Sequence, residues 1–305
     1  TITGLFLFGF VAMFLFIGMI GAIAAAGDTA PVMPKEAVLK IDFTEMTLAE
    51  QTAEADPLAM LQGGGEITPV GIYSAINAIN AAAQDPAIRY IYMKPDAVAG
   101  GTAQIEELRT ALKNFRDSGK AIVSYIESPT NAGYYLASVS DKIYMTSYDG
   151  GMNMFNGISS QLIFLKDILD RLGVNIQLIR HGKYKSAGEM FIRNSSSPEN
   201  LEQNEAMIDS MWDSWAEQIA QSRGITTEQL NSLINNLKLV DSQDWLENGL
   251  VDELLTREQL LEQLANLYVT SSYGKVQTIS LQDYALLKKP SAIGAKNKIA
   301  VIYAE

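Results

Sequence analysis

The chain has 305 residues, 48 % of them hydrophobic, and a formal net charge of −12. This size allows one large domain or two ordinary ones, and the acidic charge argues against nucleic acid as a partner, because phosphate binding needs a basic surface. Cysteine is absent and His181 is the only histidine. Disulfides, thiolate zinc sites, iron–sulfur clusters, a cysteine nucleophile and a histidine-rich metal site are therefore excluded.

The first 27 residues contain a long apolar run that ends before the first charged residue, Asp28. At about 1.5 Å per residue the run can cross a hydrocarbon core of about 30 Å. A secretory signal peptide has a shorter apolar region, about 7–15 residues, so residues 1–27 are predicted to form an uncleaved transmembrane anchor. The small residues of "AIAAAGD" leave cleavage open as the alternative. Residues 28–36 are interpreted as a linker, and the simplest topology places the following domain outside.

Strand-like and helix-like segments alternate through the middle of the chain, although 51–65 reads as a loop of uncertain form. The predicted strands are 37–43, 87–94, 120–126, 141–145 and 174–179, and the predicted helices are 71–85, 102–119 and 159–173. Apolar residues recur on one face of the last two helices, Ile105, Leu108, Leu112 and Phe115 in one and Leu162, Leu165, Leu169 and Leu172 in the other. Such alternation indicates an α/β fold with parallel strands and helical crossovers.

The remaining part of the chain is predicted to be mainly helical. Ser197 and Pro198 form an N-cap and first-turn pair for a long helix that Gly224 ends. This helix is expected to bury Ile208, Met211, Trp212, Trp215 and Ile219. Residues 225–285 read as helices with a short extended segment at 249–254. The end of the chain, 298–305, resembles 37–45 and is interpreted as the first strand of a second, related domain.

The scarcity of histidine and cysteine leaves carboxylates, tyrosine and lysine as general bases. A lysine with its usual pKa of about 10.4 is neutral in only about one molecule in 2,500 at pH 7. Lowering that pKa by about 3 costs on the order of 4 kcal/mol, which burial among apolar groups can impose. Lys185 lies between Tyr184 and an apolar stretch that includes Phe191, which favours it as a base. A solvated loop lysine is the competing interpretation.

A glycine pair, Gly100 and Gly101, lies between a predicted strand and the helix that follows. Backbone N–H groups at such a turn can form an oxyanion hole or an anion site, although a glycine pair is also an ordinary turn. Thr102 is interpreted as the N-cap of that helix.

Four segments in order along the chain resemble the signal peptide peptidase SppA family (protease IV) in its long, tandem-domain form. They are 114–128, 132–145, 182–193 and 248–254, and the apolar N-terminus also fits. The resemblance implies a ClpP/crotonase-like α/β domain, assigned to 37–295, with 296–305 beginning a truncated second domain. It also implies a Ser-Lys dyad protease without a cofactor, in which Lys185 is the general base and Lys183 a bystander.

The family's serine belongs to an "A-S-G-G-Y" motif at the head of a helix, and Asn131 stands at the corresponding place. We therefore expect the chain to supply the base and not the nucleophile, since Ser186 and Thr102 are poor substitutes. The resemblance further implies signal peptides as substrates, a homo-oligomer, and an inner-membrane location in a bacterium with the domain on the periplasmic side of the lipid bilayer. The alternatives are an inactive membrane scaffold and a crotonase-type acyl-CoA enzyme.

Overall fold

The computed structural model describes residues 4, 8–14, 16, 18, 31–50, 68–148 and 151–288. Within these residues a six-stranded parallel sheet has the order β7-β6-β5-β4-β1-β8, and a separate parallel pair joins β2 to β3. The strands are β1 (Ala37–Asp42), β2 (Met46–Ala49), β3 (Thr68–Gly71), β4 (Ile88–Lys94), β5 (Ile122–Ile126), β6 (Lys142–Thr146), β7 (Glu253–Leu255) and β8 (Thr278–Ser280). The α/β class with parallel strands is therefore confirmed.

Helices connect the strands. They are α1 (Ile72–Gln84), α2 (Thr102–Asp117), α3 (Asn131–Ala137), α4 (Lys166–Arg171), α5 (Glu189–Ile192), α6 (Pro198–Arg223), α7 (Thr227–Asn235), α8 (Ser242–Glu247), α9 (Arg257–Tyr268) and α10 (Leu281–Leu287), with a 3₁₀ turn at Tyr273–Lys275. The larger core lies between one sheet face and α1, α2, α3, α6 and α8. A smaller core lies between the other face and α9. Successive side chains of a strand point to opposite faces of the sheet, so each face carries apolar residues that helices cover.

Helix α2 shows how the apolar pattern produced the main core. The four residues predicted to share its buried face, Ile105, Leu108, Leu112 and Phe115, are all at most 3 % exposed. Gly119 follows the helix with φ of 92°, a conformation that glycine adopts without strain. The periodicity therefore located this helix and its orientation correctly.

A buried cation joins α2 to α3 and α6. Arg109 donates hydrogen bonds to the carbonyl of Tyr135 and, at 2.8 Å each, to the hydroxyls of Ser138 and Ser222. It also reaches the carbonyl of Gln218 at 3.3 Å and lies 4.5 Å from the centre of the Tyr135 ring. Burial lowers the pKa of Arg109 to about 10. Neutral acceptors thus hold this charge between three helices.

Two predicted elements between β6 and α6 are wrong. Of the helix expected at 159–173 only α4 forms, with no buried residue, and no strand forms at 174–179. The place beside β6 is taken instead by β7, where Tyr144 pairs with Glu253. A helix depends on burying its apolar face, and no core surface lies against this segment. The predicted helix therefore forms only in part, and Leu172 is 70 % exposed. We call residues 151–197 the connecting segment.

Helix α6 begins and ends as predicted. The hydroxyl of Ser197 accepts a hydrogen bond from the N–H of Asn200, Pro198 is the first helical residue, and Gly224 adopts φ of 69°. Trp215 and Ile219 are buried. The residues expected to be buried nearer its start, Ile208, Met211 and Trp212, are only half-buried, although Trp212 still packs against the main core.

The predicted anchor at 1–27 lies largely outside the described residues, of which 8–14 are helical and exposed. Among the residues that the structure describes, no helix combines the length and apolar content needed to span a membrane. The predicted loop at 51–65 and the predicted strand at 298–305 also lie outside the described residues.

Candidate active site

Asn131, at the position expected for a serine, is the first residue of α3. Its side-chain amide donates to the carbonyl of Gly157 at 2.6 Å, and its side-chain oxygen accepts from the N–H groups of Asn156 at 3.0 Å and Gly157 at 3.1 Å. Thr130 caps the helix by accepting from the N–H of Gly133 at 3.0 Å. Asn131 therefore fastens the start of the connecting segment to the start of α3, which a serine is too short to do in the same way.

The loops that follow β4 and β5 are locked together beside Asn131. A Cβ at Gly133 would lie 2.3 Å from the carbonyl oxygen of Pro95, so only glycine allows these backbones to approach. Asp96 accepts from the N–H groups of Glu127 and Ser128, both at 2.7 Å, and burial raises the pKa of its carboxyl group. The helix starts that follow these loops thus have a fixed relative position.

Within the glycine pair, the N–H of Gly101 is not an open donor. Gly101, rather than Thr102, is the N-cap of α2, and Thr102 is already helical, so the predicted cap was wrong by one residue. The N–H of Gly101 donates to the side-chain oxygen of Gln104 at 2.9 Å. Gln104 in turn donates to Glu50 at 2.5 Å. Because the helix start satisfies its own donor, the geometry gives no support for an oxyanion hole at Gly101.

Lys185 lies in the connecting segment between α4 and α5. Its side chain is exposed and makes no hydrogen bond or ion pair with another described residue. Its backbone carbonyl accepts from the guanidinium of Arg180 at 2.9 Å. The apolar burial that favoured Lys185 as a base is therefore not found among the described residues, where it is a solvated loop lysine, although the backbone of the loop is held in place.

An open concavity of about 560 Å³ borders Lys185. Its lining is mainly apolar and includes Leu178, Ile179, Tyr184, Ala187 and Gly188. Ile179 is 97 % exposed. Such a surface can receive an apolar segment in extended form, and Lys185 is one of the residues that line it.

A buried carboxylate, Glu189, anchors the loop that carries Lys185. It forms an ion pair with Arg180 at 2.9 Å and accepts from the N–H and the hydroxyl of Ser197 at 3.0 and 2.7 Å. Burial alone would raise the pKa of Glu189, but the hydrogen bonds from Ser197 and Arg180 outweigh it and lower the pKa to about 2. Sequence reasoning missed this role, although a single acid within the apolar run "SAGEMFI" was a signal that it has a buried partner.

The other candidates near Lys185 fit a base or nucleophile less well. The ammonium of Lys183 lies 4.8 Å from the centre of the Tyr184 ring, and a hydrogen bond with Tyr184 raises the pKa of Lys183, which disfavours the neutral amine. The carbonyl of Ser186 accepts from the N–H of Glu189 at 2.8 Å, which places Ser186 in the turn before α5. His181 is exposed in the same loop. No hydrogen bond or ion pair between described residues joins Lys185 to Asn131.

Comparison with known proteins identifies relatives of this chain. Residues 114–270 match peptidase family S49. The chain is 27 % identical to "Protease 4" from Haemophilus influenzae, in a match that covers 97 % of this chain and 50 % of the relative. It is 31 % identical to "Protease 4" from Salmonella typhi, in a match that covers 76 % of this chain and 38 % of the relative. It is 28 % identical over 73 % of its length to 33 % of "Serine protease SPPA, chloroplastic" from Arabidopsis thaliana. These matches confirm the resemblance to the SppA family, and the chain spans half or less of the length of these relatives.

Proposed function

The chain belongs to peptidase family S49, and from this premise we propose that it is the lysine-bearing part of a membrane-anchored serine endopeptidase that degrades cleaved signal peptides. Lys185 is the general base of a Ser-Lys dyad in this proposal, and another domain or another copy supplies the serine. The observation that carries it is the amine of Lys185, which has no partner among the described residues and borders an apolar concavity.

The proposed reaction begins when the neutral amine of Lys185 removes the hydroxyl proton of the serine as its oxygen attacks the scissile carbonyl carbon. The ammonium returns this proton to the leaving amine, and the carbon–nitrogen bond breaks to give an acyl-serine. Water then attacks the acyl-serine with the same base and releases the acid product. The N–H donors for the oxyanion come with the serine, since the N–H of Gly101 is engaged by Gln104.

The proposal requires that Lys185 be covered when the serine arrives. Apolar surroundings favour the neutral form of a lysine amine over the charged form. The surface that brings the serine, together with the apolar substrate in the concavity, would provide this burial. The Arg180–Glu189 ion pair supports the assignment because it fixes the loop in which the amine must be placed.

We also propose the cellular arrangement. Residues 1–27 form the single membrane anchor, 28–36 the linker and 37–295 the peptidase domain, which lies on the periplasmic side of a bacterial inner membrane as a homo-oligomer. Residues 296–305 begin a second, related domain. The apolar run before Asp28 supports the anchor, and the twofold greater length of one relative supports the second domain.

Two lysine variants of the full-length protein test the proposal. Lys185→Ala should lower kcat/KM for an apolar signal-peptide substrate by about 10²–10⁴-fold, the usual contribution of a general base. Lys183→Ala removes an equivalent exposed charge two residues away and should stay near the wild-type value. Unchanged thermal unfolding of both variants excludes a folding defect. Wild-type activity in Lys185→Ala would remove this residue from the mechanism.

A catalytically inactive membrane scaffold of the same fold is the second candidate. The hydrogen bonds of Asn131 and the engaged N–H of Gly101 favour it for this domain taken alone. Hydrolysis by the full-length protein distinguishes the two, because a scaffold hydrolyses nothing. The crotonase-type acyl-CoA enzyme is less well supported, since the family match is to peptidases.

A further inference from the structure

A polar cavity of about 240 Å³ lies at the carboxyl ends of β1, β4 and β5, on the sheet face covered by α9. Residues two apart share a strand face, so β1 presents Lys40 and Asp42 here and β4 presents Tyr92 and Lys94. The remaining lining residues are Thr44, Glu45, Tyr125, Glu127, Arg257, Leu260, Leu261 and Tyr273. Neither Lys185 nor Asn131 lines this cavity, so it is separate from the proposed peptidase site.

The acidic groups of the cavity already have partners. Asp42 accepts from the hydroxyl of Thr44 at 2.6 Å and lies 3.1 Å from the amine of Lys40. That amine also donates to Glu45 at 2.8 Å, and Lys94 donates to Glu127 at 2.8 Å. The three carboxylates therefore have partners, and with Lys40, Lys94 and Arg257 the charges of the lining balance.

The groups left without a partner can all donate a hydrogen bond. Among the described residues, the guanidinium of Arg257 and the hydroxyls of Tyr92 and Tyr273 make no hydrogen bond or ion pair. Tyr92 is 6 % exposed, and burial raises the pKa of its hydroxyl, which therefore keeps its proton. This hydroxyl lines the cavity and is free to donate a hydrogen bond to a ligand there.

Helix α9 brings one positive charge to the same cavity. Arg257 is the first residue of this helix, and Leu260 and Leu261 in its second turn line the wall. The start of the helix is capped by Thr256 and Gln259, so the positive charge comes from the guanidinium. The guanidinium and the two hydroxyl donors match the acceptor oxygens of a carboxylate.

The volume limits the size of the ligand. A water molecule occupies about 30 Å³ in the liquid, so the cavity has room for about eight water-sized groups. This space suits one amino acid. We propose that the cavity binds a small carboxylate of amino-acid size, held by Arg257, Tyr92 and Tyr273.

A matched pair of probes tests the proposal on the whole chain. N-acetyl-L-alanine carries a carboxylate, and N-acetyl-L-alaninamide has the same number of non-hydrogen atoms and no charge. Calorimetric titration at constant ionic strength should give saturable binding of the carboxylate with a Kd of about 1–10 mM and no binding of the amide. Equal binding of both probes, or no saturable binding of the carboxylate, would overturn the proposal.

Variants locate the binding. Arg257→Gln and Tyr92→Phe should each raise the Kd of the carboxylate probe by about tenfold, the usual effect of losing one hydrogen bond to a charged group. Arg171→Gln makes the same charge change on an exposed arginine of α4 and should leave the affinity unchanged. Thermal unfolding checks that the variants fold. Equal affinity in Arg257→Gln and Arg171→Gln would place the ligand elsewhere and refute the assignment.

Discussion

Glu189 accepts two hydrogen bonds from Ser197, one from its N–H at 3.0 Å and one from its hydroxyl at 2.7 Å. The same carboxylate holds Arg180, whose guanidinium also binds the carbonyl of Lys185. The start of α6 is thereby connected to the loop of the proposed base through one buried acid. This connection gives the backbone of Lys185 a defined position, while its side chain stays exposed.

Replacing this acid should loosen the loop. Glu189→Gln removes the charge-assisted hydrogen bonds to Arg180 and Ser197, and amide exchange across 180–197 should become about tenfold faster or more. Hydrogen exchange followed by mass spectrometry measures this. Glu205→Gln, an exposed acid on α6, serves as the control and should leave the segment unchanged. Equal exchange in both variants would show that Glu189 does not order the loop.

The same carboxylate predicts a pH dependence. The pKa of Glu189 is lowered to about 2 in the folded chain from an ordinary value of 4.5. A lowered acid pKa stabilises the folded segment fully above about pH 4.5, and the contribution is lost as the pH falls toward about 2. Protection of 180–197, corrected for intrinsic exchange rates, should therefore fall over this range in the wild type. In Glu189→Gln the protection should show no such transition.

Restoring a serine at position 131 should not create a peptidase in this chain. Asn131→Ser removes side-chain hydrogen bonds to Asn156 and Gly157, and the N–H of Gly101 stays engaged by Gln104. We expect a loss of about 1–3 kcal/mol in the free energy of unfolding and no peptide hydrolysis by the variant. Urea unfolding and a fluorogenic peptide assay measure the two effects. Turnover by this variant would contradict our account of the Gly101 site.

Gly133 should tolerate no side chain. In Gly133→Ala the new Cβ would lie 2.3 Å from the carbonyl oxygen of Pro95, and neither backbone can yield without moving a helix start. We expect destabilisation of about 1–3 kcal/mol or more. Gly274→Ala is the control, because nothing lies within 4 Å of its Cβ position. Similar melting temperatures for both variants would disprove the close approach.

The buried cation of α2 should be essential for packing. Arg109→Met removes the hydrogen bonds that Arg109 donates to the carbonyl of Tyr135 and to the hydroxyls of Ser138 and Ser222, and the free energy of unfolding should fall by about 3 kcal/mol. Lys113→Met removes an exposed cation from the same helix, whose ion pair with Asp117 contributes little, and should change stability by less than about 1 kcal/mol. Chemical denaturation measures the free energy of unfolding of both variants. Equal losses of stability would show that Arg109 does not hold α2, α3 and α6 together.

Apolar periodicity and capping residues predicted helices correctly where the folded chain offers a surface or backbone groups that contact them. The apolar face of α2 is buried as predicted because the sheet lies against it, and Ser197 caps α6 because capping depends on neighbouring backbone groups. Residues 159–173 have a similar apolar periodicity, but no core surface lies against them, so only Lys166–Arg171 is helical. Periodicity states which face is apolar and not whether a partner surface exists.

By itself the sequence determined the excluded chemistry, the alternation of strands and helices, the family, and Lys185 and Asn131 as the positions to examine. These depend on residue identity and on neighbours along the chain. The tertiary structure alone decided that Asn131 binds Gly157, that Gln104 takes the N–H of Gly101, and that Arg257 meets Tyr92 at one cavity. Hydrogen-bond partners and cavities are formed by segments far apart in the chain, and only the packed fold fixes which of them meet.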